Sequence, residues 1–388
     1  MRFPCLFALC LCANPAFSAP CGGNFGDFIT AMKSEALATG ASQAAVDGFF
    51  AGAKSDPKVL KADRSQGVFR KTFLEFSQSL ISKSRLSKGA ANARKYDAVF
   101  DQAAANYGVS RGILLAFWAF ETDFGAVQGD FNTRNALITL AHDCRRPELF
   151  QPQVLAAIAL FANGMFDPAN TSGAWAGEIG MVQMLPKDIL LRGVDGDGDG
   201  TISLKSSAPD ALLSAANMLQ SLGWRANEPW LQEITLPVNL DWAQTGLETE
   251  LATESWAAMG IVARQGTLAS GLTASVLLPQ GRKGPAFLAY PNFRVLFEWN
   301  KSFVYVTTAA YFGTRLEGAS AYDAGNPDPA LSQAEMQTLQ QKLATRGYDV
   351  GKIDGILGAA TRAAVQKEQI RLGLPADAWP TRDLLDGL

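Results

Sequence analysis

Apolar and polar positions recur with helical spacing over most of this chain, and one stretch breaks the rule. Residues 113–125 read ILLAFWAFETDFG, eight apolar residues in a row and then Glu121. Ser110 can act as an N-cap, and the run from Arg111 fits about three turns of helix ending near Gly125. A helix apolar on every side is buried, so its last turn carries a carboxylate out of a core. Upstream, Phe28, Met32, Ala36 and Leu37 form one apolar stripe, stopped by Gly40. Val46, Phe49 and Phe50 mark a second helix, and Phe69, Phe73, Phe76 and Leu80 a third. Tyr96, Val99, Phe100 and Ala103 lead to a stop at Tyr107-Gly108. Downstream, the spacing predicts helices over 135–142, 152–163, 209–222 and 302–316. Past Trp256 the character changes. TASVLLP, AFLAY and RVLFEW are short β-type runs between Gly, Pro and Asn, which predicts a small sheet. Residues 318–330, opening GASAYDAGNPDP, have the composition of a linker, and 331–388 form a small separate three-helix module.

The chain has 388 residues, 48% hydrophobic and 18% charged, enough for two or three domains with cores of their own. A net charge of −3 lacks the basic footprint of nucleic-acid binding. Residues 1–19 read as an export signal: Arg2, an apolar stretch over 3–12, then the small-residue exit Ala16-Phe17-Ser18-Ala19, with cleavage after Ser18 or Ala19. It is too short to span a bilayer, and no other apolar run is long enough to cross one. The expected location is the periplasm. Cys5, Cys10 and Cys12 leave with the leader, and Cys21 and Cys144 remain as an expected disulfide in an oxidising compartment. A lipidated Cys21 is the alternative, disfavoured by Pro20 where a lipoprotein signal needs a small residue. The single histidine, His142, excludes a multi-histidine zinc site and reads as a scaffold residue.

Three segments carry candidate chemistry. At Glu121, desolvation and the negative end of a helix dipole both disfavour the ionised form, as a general acid requires. From these residues alone a solvated glutamate at a helix end is the more ordinary reading. Residues 195–203, DGDGDGTIS, place Asp195, Asp197 and Asp199 at alternate positions, glycine at the sixth, and the Thr201 carbonyl at the seventh, which fits an EF-hand-like calcium loop. The twelfth position is Ser206 instead of glutamate, and Asp210 is the nearest acid able to complete the shell. A solvated Asp-Gly turn is the bland alternative. Residues 173–186, GAWAGEIGMVQMLP, suggest a cleft loop with Gln183 as its hydrogen-bonding group, or a buried structural glutamine.

The segments AFWAFETDFG, AHDCRRPELF, GAWAGEIGMVQMLP, GVDGDGDGTISL, SAPDALLSAANMLQSLGW and FEWNKSFVY, in that order and spacing, resemble the B-type lytic murein transglycosylases over about residues 25–318. The resemblance implies a mainly α fold: a lysozyme-like helical core with an added helical part and a small β part. It places the catalytic acid on Glu121 and the cleft glutamine on Gln183. The aromatic near the reacting sugar falls on Tyr305, with Trp299 and Asn300 alongside and Asn217 as a further substrate contact. The metal loop falls on Asp195, Asp197, Asp199, Thr201 and Asp210, with structural Ca2+ and no organic cofactor. Residues 341–374, with Asp354, Gly355, Gly358 and Thr361, resemble a peptidoglycan-binding module, although Glu368 replaces an aromatic residue of that pattern. Ala174, Glu178 and Met218 also depart from the family's usual residues. The implied partner is the peptidoglycan glycan strand, cut to a 1,6-anhydro end by one carboxylate. Two rival readings are a hydrolytic muramidase using Glu178 as second carboxylate, and a non-catalytic wall-binding protein.

Overall fold

The computed structural model describes residues 19–65 and 71–388. The expected leader, apart from Ala19, and Phe69 of the third predicted helix lie outside the described residues. Helices α1 (Phe25–Ala38), α2 (Gln43–Phe50), α3 (Pro57–Arg64), α4 (Phe73–Leu80), α5 (Lys83–Lys95) and α6 (Asp97–Tyr107) lead to α7 (Arg111–Thr122). A short strand β1 (Phe131–Asn132) precedes α8 (Thr133–His142) and α9 (Pro147–Ala162), and pairs antiparallel with β2 (Ser172–Gly173). Then come α10 (Pro186–Arg192), α11 (Ala208–Ser221), strand β3 (Leu231–Thr235), β4 (Leu251–Ala252), α12 (Thr253–Ala258), β5 (Val262–Ala263), β6 (Thr273–Leu277) and β7 (Phe287–Ala289). Helices α13 (Pro291–Trp299) and α14 (Phe303–Leu316) close the large part, and α15 (Gln333–Thr345), α16 (Ala359–Arg371) and α17 (Arg382–Gly387) form the last. Among the described residues no helix is long and apolar enough to cross a membrane.

The apolar run is the axis of this arrangement. Ser110 caps α7 through its side chain, and residues 113–119 are each at most 3% exposed. Helix α14 lies antiparallel against it, so that Gly313 meets Gly112 near one end and Tyr305 meets Glu121 near the other. A Cβ on Gly112 would stand 2.5 Å from the Gly313 carbonyl oxygen, so only glycine permits this close a crossing. Glu317, at the end of α14, accepts the Gly112 N–H at 3.1 Å and reinforces the α7 N-terminus with a negative charge.

The sheet runs β4-β6-β7-β3-β5, every neighbouring pair antiparallel, with Ala289 opposite both Leu231 and Ser275. One face packs on the main core through Leu277 and Phe287; Val276 and Leu288 serve a second core around Trp256. Two expectations need correction. RVLFEW is the body of helix α13, not a strand: Pro291 sits at its first turn, and Phe293 and Leu296 are buried three residues apart, a helical period hidden in a short apolar run. The helix expected over 152–163 begins five residues earlier, at Pro147, and tolerates Pro152 inside it. Helix α5 and strand β3 had no counterpart in the apolar pattern; α5 fully buries only Gly89, so it presents no stripe.

The module after residue 331 has its own core of Met336, Leu339, Leu343, Val350, Val365 and Leu384. Glu368 is buried there and paired with Arg371 at 2.6 Å. The connecting segment is packed down: the Tyr322 ring lies 4.8 Å from that of Tyr311, and Asp328 pairs with Lys283 at 2.7 Å.

Candidate active site

Helix α7 ends because Asp123 and Phe124 both take left-handed backbone, φ 50° and 63°, which turns the chain sharply just past Glu121. That unfavourable geometry is held from three sides. Asp123 is gripped by Arg85 at 3.1 Å and Lys88 at 2.8 Å, both from α5. The Thr122 hydroxyl donates to the Met181 carbonyl at 2.5 Å and accepts the Gly125 N–H at 2.9 Å. Phe124 packs its ring against Trp118. Neither Arg85 nor Lys88 carried any sequence signal, because the pair forms across more than thirty residues of chain.

The Glu121 carboxyl receives two hydrogen bonds on the same oxygen. Trp299 Nε1 donates to Oε1 at 3.1 Å, and the Tyr305 hydroxyl donates to Oε1 as well. Trp299 is itself fixed by stacking on Phe117, centroids 4.4 Å apart and planes 15° from parallel. Desolvation pushes Glu121 up to about 7; its two donors pull the other way, and the Glu178 charge adds a smaller upward push. Burial and the neighbouring Glu121 also keep the Tyr305 phenol protonated, far above its ordinary range. With both donors on Oε1, the proton of the neutral acid belongs on Oε2, free for transfer.

Of the expected neighbours, Trp299 and Tyr305 touch Glu121. Asn300 accepts the Ser302 N–H at 2.9 Å and so shapes the corner between α13 and α14. Gln183 adopts left-handed backbone, φ 54°, and its amide donates to Gly180 O at 2.8 Å and Gln128 O at 3.4 Å. Asn217 donates to the Arg192 carbonyl at 3.0 Å, tying α11 to the end of α10. Glu178 stands just before the Ile179–Met184 bridge, and desolvation raises its pKa.

In the acidic loop, Asp195, Asp197 and Asp210 converge, with one carboxylate oxygen from each lying within 4.8 Å of the others. Gly198 and Gly200, at φ 76° and 89°, give the curl that alternate carboxylates need. Asp199 instead accepts from the Thr201 N–H at 2.8 Å and hydroxyl at 2.7 Å. The loop's far end meets the cleft wall: Met181 N–H donates to Leu204 O at 2.8 Å. Cys21 and Cys144 are joined, Cα atoms 5.1 Å apart, and His142 is the last residue of α8, its ring against Phe25 and Phe28.

A half-buried carboxylic acid on a core helix, steadied by a phenol and an indole, defines a lysozyme-like helical enzyme that acts on glycan. The match to known proteins narrows this. Residues 24–314 match the transglycosylase SLT domain and 332–388 a peptidoglycan binding domain, and the chain belongs to the transglycosylase SLT domain family. The crystal structure of SltB3 from Pseudomonas aeruginosa in complex with NAG-anhNAM-pentapeptide is 35% identical, with TM-score 0.85, covering 94% of this chain and 99% of that one. Membrane-bound lytic murein transglycosylase B of Escherichia coli (strain K12) is 26% identical over 245 residues, 62% of this chain and 66% of that protein. The Escherichia coli lytic transglycosylase Slt35, solved in complex with calcium, shares the fold at 24% identity and TM-score 0.65, over 78% of this chain and 97% of that one.

Proposed function

We propose that this protein is an exported lytic transglycosylase that cuts the β-1,4 bond between N-acetylmuramic acid and N-acetylglucosamine in peptidoglycan. The observation that carries the reading is the acid Glu121, raised to about 7, with both hydrogen bonds on Oε1. Oε2–H protonates the glycosidic oxygen as the bond to the anomeric carbon breaks. The same oxygen then takes the proton of the muramyl 6-hydroxyl, whose oxygen closes on that carbon. No water is consumed, and Glu121 returns to its starting state. A glycosidase that hydrolyses usually needs a second, ionised carboxylate. Asp123 is committed to Arg85 and Lys88, and burial moves Glu178 toward its neutral form, so neither suits that part. The relative SltB3 has been solved with a ligand that carries an anhydro sugar, the kind of end this chemistry leaves.

Asp195, Asp197 and Asp210 offer hard oxygen ligands whose mutual repulsion a divalent cation relieves, which suits structural calcium. The ion's part would be to hold the loop; the residues that act on substrate are elsewhere. Met181 links the two, its N–H bonded to the loop end and its carbonyl to Thr122 beside the acid.

The test is digestion of purified sacculi with product masses. Wild type should release muropeptides lighter by one water than hydrolysis gives, with no reducing end. Glu121→Gln keeps the side chain's shape and should fold, bind sacculi and lose at least about 10³-fold in rate, since general acid–base catalysis is worth about 10²–10⁴-fold and one residue serves both steps. Glu178→Gln should retain most activity. Reducing-end products together with an inactive Glu178→Gln variant would instead establish a muramidase.

A further inference from the structure

The small C-terminal module touches the catalytic part next to the acid's own hydrogen-bond donors. Arg362, in the first turn of α16, donates to the carbonyls of Leu278 at 3.4 Å and Pro279 at 2.6 Å, in the loop after β6. Its guanidinium lies 4.4 Å from the centroid of the Phe303 ring and 5.9 Å from that of Trp379. Other polar contacts fix the same interface. Gln366 donates to Thr245 O at 2.7 Å, buried Asp377 accepts from Arg282 at 3.0 Å, and Trp379 Nε1 donates to Asp328 O at 3.0 Å. Arg362 Nε is buried without a partner among the described residues, and the remaining contacts of this polar network favour one docked arrangement.

Phe303 is the first residue of α14, and Tyr305 follows two residues later in the same turn. Its ring also packs on Phe297 of α13, the helix that ends at Trp299. Both donors to Glu121 therefore flank one corner, residues 299–305, and Arg362 presses on its middle. The same corner borders a cleft lined by Asn300, Lys301, Ser302, Phe303 and Arg362 itself, so little other packing restrains it there.

We propose that Arg362 is a positioning residue for the reaction: the docked module, through the guanidinium stacked on Phe303, aims Tyr305 and Trp299 at Glu121. This rests on the reading of Glu121 as the acid. The module then serves the chemistry directly, besides any hold it has on the cell wall. Because Arg362 acts through Tyr305, its loss should fall on turnover and should not compound with loss of the phenol.

Steady-state kinetics of the full chain on soluble, uncross-linked glycan strands tests this, with wild type, Arg362→Ala, Tyr305→Phe, the double variant and Glu121→Gln. Arg362→Ala should lower kcat about tenfold or more and leave KM within about twofold, a misaimed side chain being costly mainly in the transition state. The double variant should be no slower than the slower single one. Losses that multiply, a loss confined to KM, or an unchanged kcat would each overturn the proposal. Should Arg362→Ala fail to fold, Phe303→Leu leaves the module's polar contacts in place and must show the same loss of kcat; a wild-type kcat there overturns the proposal equally. Full activity in Glu121→Gln would remove the acid assignment itself, whereas an inactive Glu121→Gln beside a fully active Arg362→Ala overturns this inference alone.

Discussion

At the scale of single residues, the pKa of Glu121 makes two pH dependences with the same origin. The acid must carry its proton, so kcat/KM should be level on the acid side and fall as pH rises through about 7. Stability follows the raised pKa with a definite sign. Between the ordinary carboxylate value of 4.5 and about 7, the folded chain holds a proton that the unfolded chain has released. Folding is therefore progressively disfavoured across that window, and the effect levels off above it. The shift corresponds to roughly 3–4 kcal/mol. Glu121→Gln should flatten the slope, leaving the part that Glu178 adds in the same direction, and be the more stable protein at pH 8, as urea melts at pH 5 and pH 8 would show. An unchanged slope in the variant would mean that other groups produce it. Tyr305→Phe deletes a hydrogen bond that lowers the Glu121 pKa, so it should move the alkaline limb of activity upward while reducing kcat.

Among the elements, the α7–α14 pair decides where the acid stands. The two helices approach through Gly112 and Gly313, and a methyl group at 112 meets backbone 2.5 Å away. Gly112→Ala should cost about 1–3 kcal/mol by overpacking, despite the better helix propensity of alanine, and a thermal melt would register it. A variant as stable as wild type would show that the helices can part without cost. The acidic loop is the second element with a measurable handle. Calcium should raise Tm by mass action on the folded state. Asp195→Ala combined with Asp210→Ala should abolish that rise, and Asp199→Ala, whose carboxylate serves Thr201, should leave most of it. Equal loss in both variants would mean that Asp199 swings in as a ligand; no response to calcium in metal-stripped wild type would leave the loop as a turn.

For the molecule as a whole, the N-terminal segment is secured twice. The disulfide closes a separation of 123 residues, worth about 4–5 kcal/mol in the chain-entropy model. Replacing both cysteines by serine should lower unfolding stability by about that amount, and the untreated protein should show no titratable thiol when denatured. Ala19 is buried, with its N–H donating to Glu35 at 3.2 Å and its carbonyl accepting from Gln151 at 2.7 Å. Leader cleavage after Ser18 would place a new ammonium group beside the Glu35 carboxylate. The intact mass of exported protein should therefore begin at Ala19, and a start at Pro20 would sever both contacts.

Local patterns in the sequence determined much of this protein. The unbroken apolar run of α7 and its Ser110 cap announced a buried helix, and the Glu121 that follows could only stand where the core ends. The alternating acids and glycines announced a curled loop, since that spacing has little other use, and two remaining cysteines announced their bond. The tertiary structure decided what depends on distant partners. RVLFEW became a helix because its apolar residues pack on a neighbour three and four apart, a distinction too short a run does not carry. Arg85 and Lys88 clamp Asp123 from a helix with no apolar stripe, and no local pattern marks them. Neutrality of Glu121 comes from desolvation by the parts packed around it, against the pull of its two donors, Tyr305 and Trp299, nearly two hundred residues onward. Desolvation is a property of the assembled chain, and it turns a glutamate at a helix end into an acid.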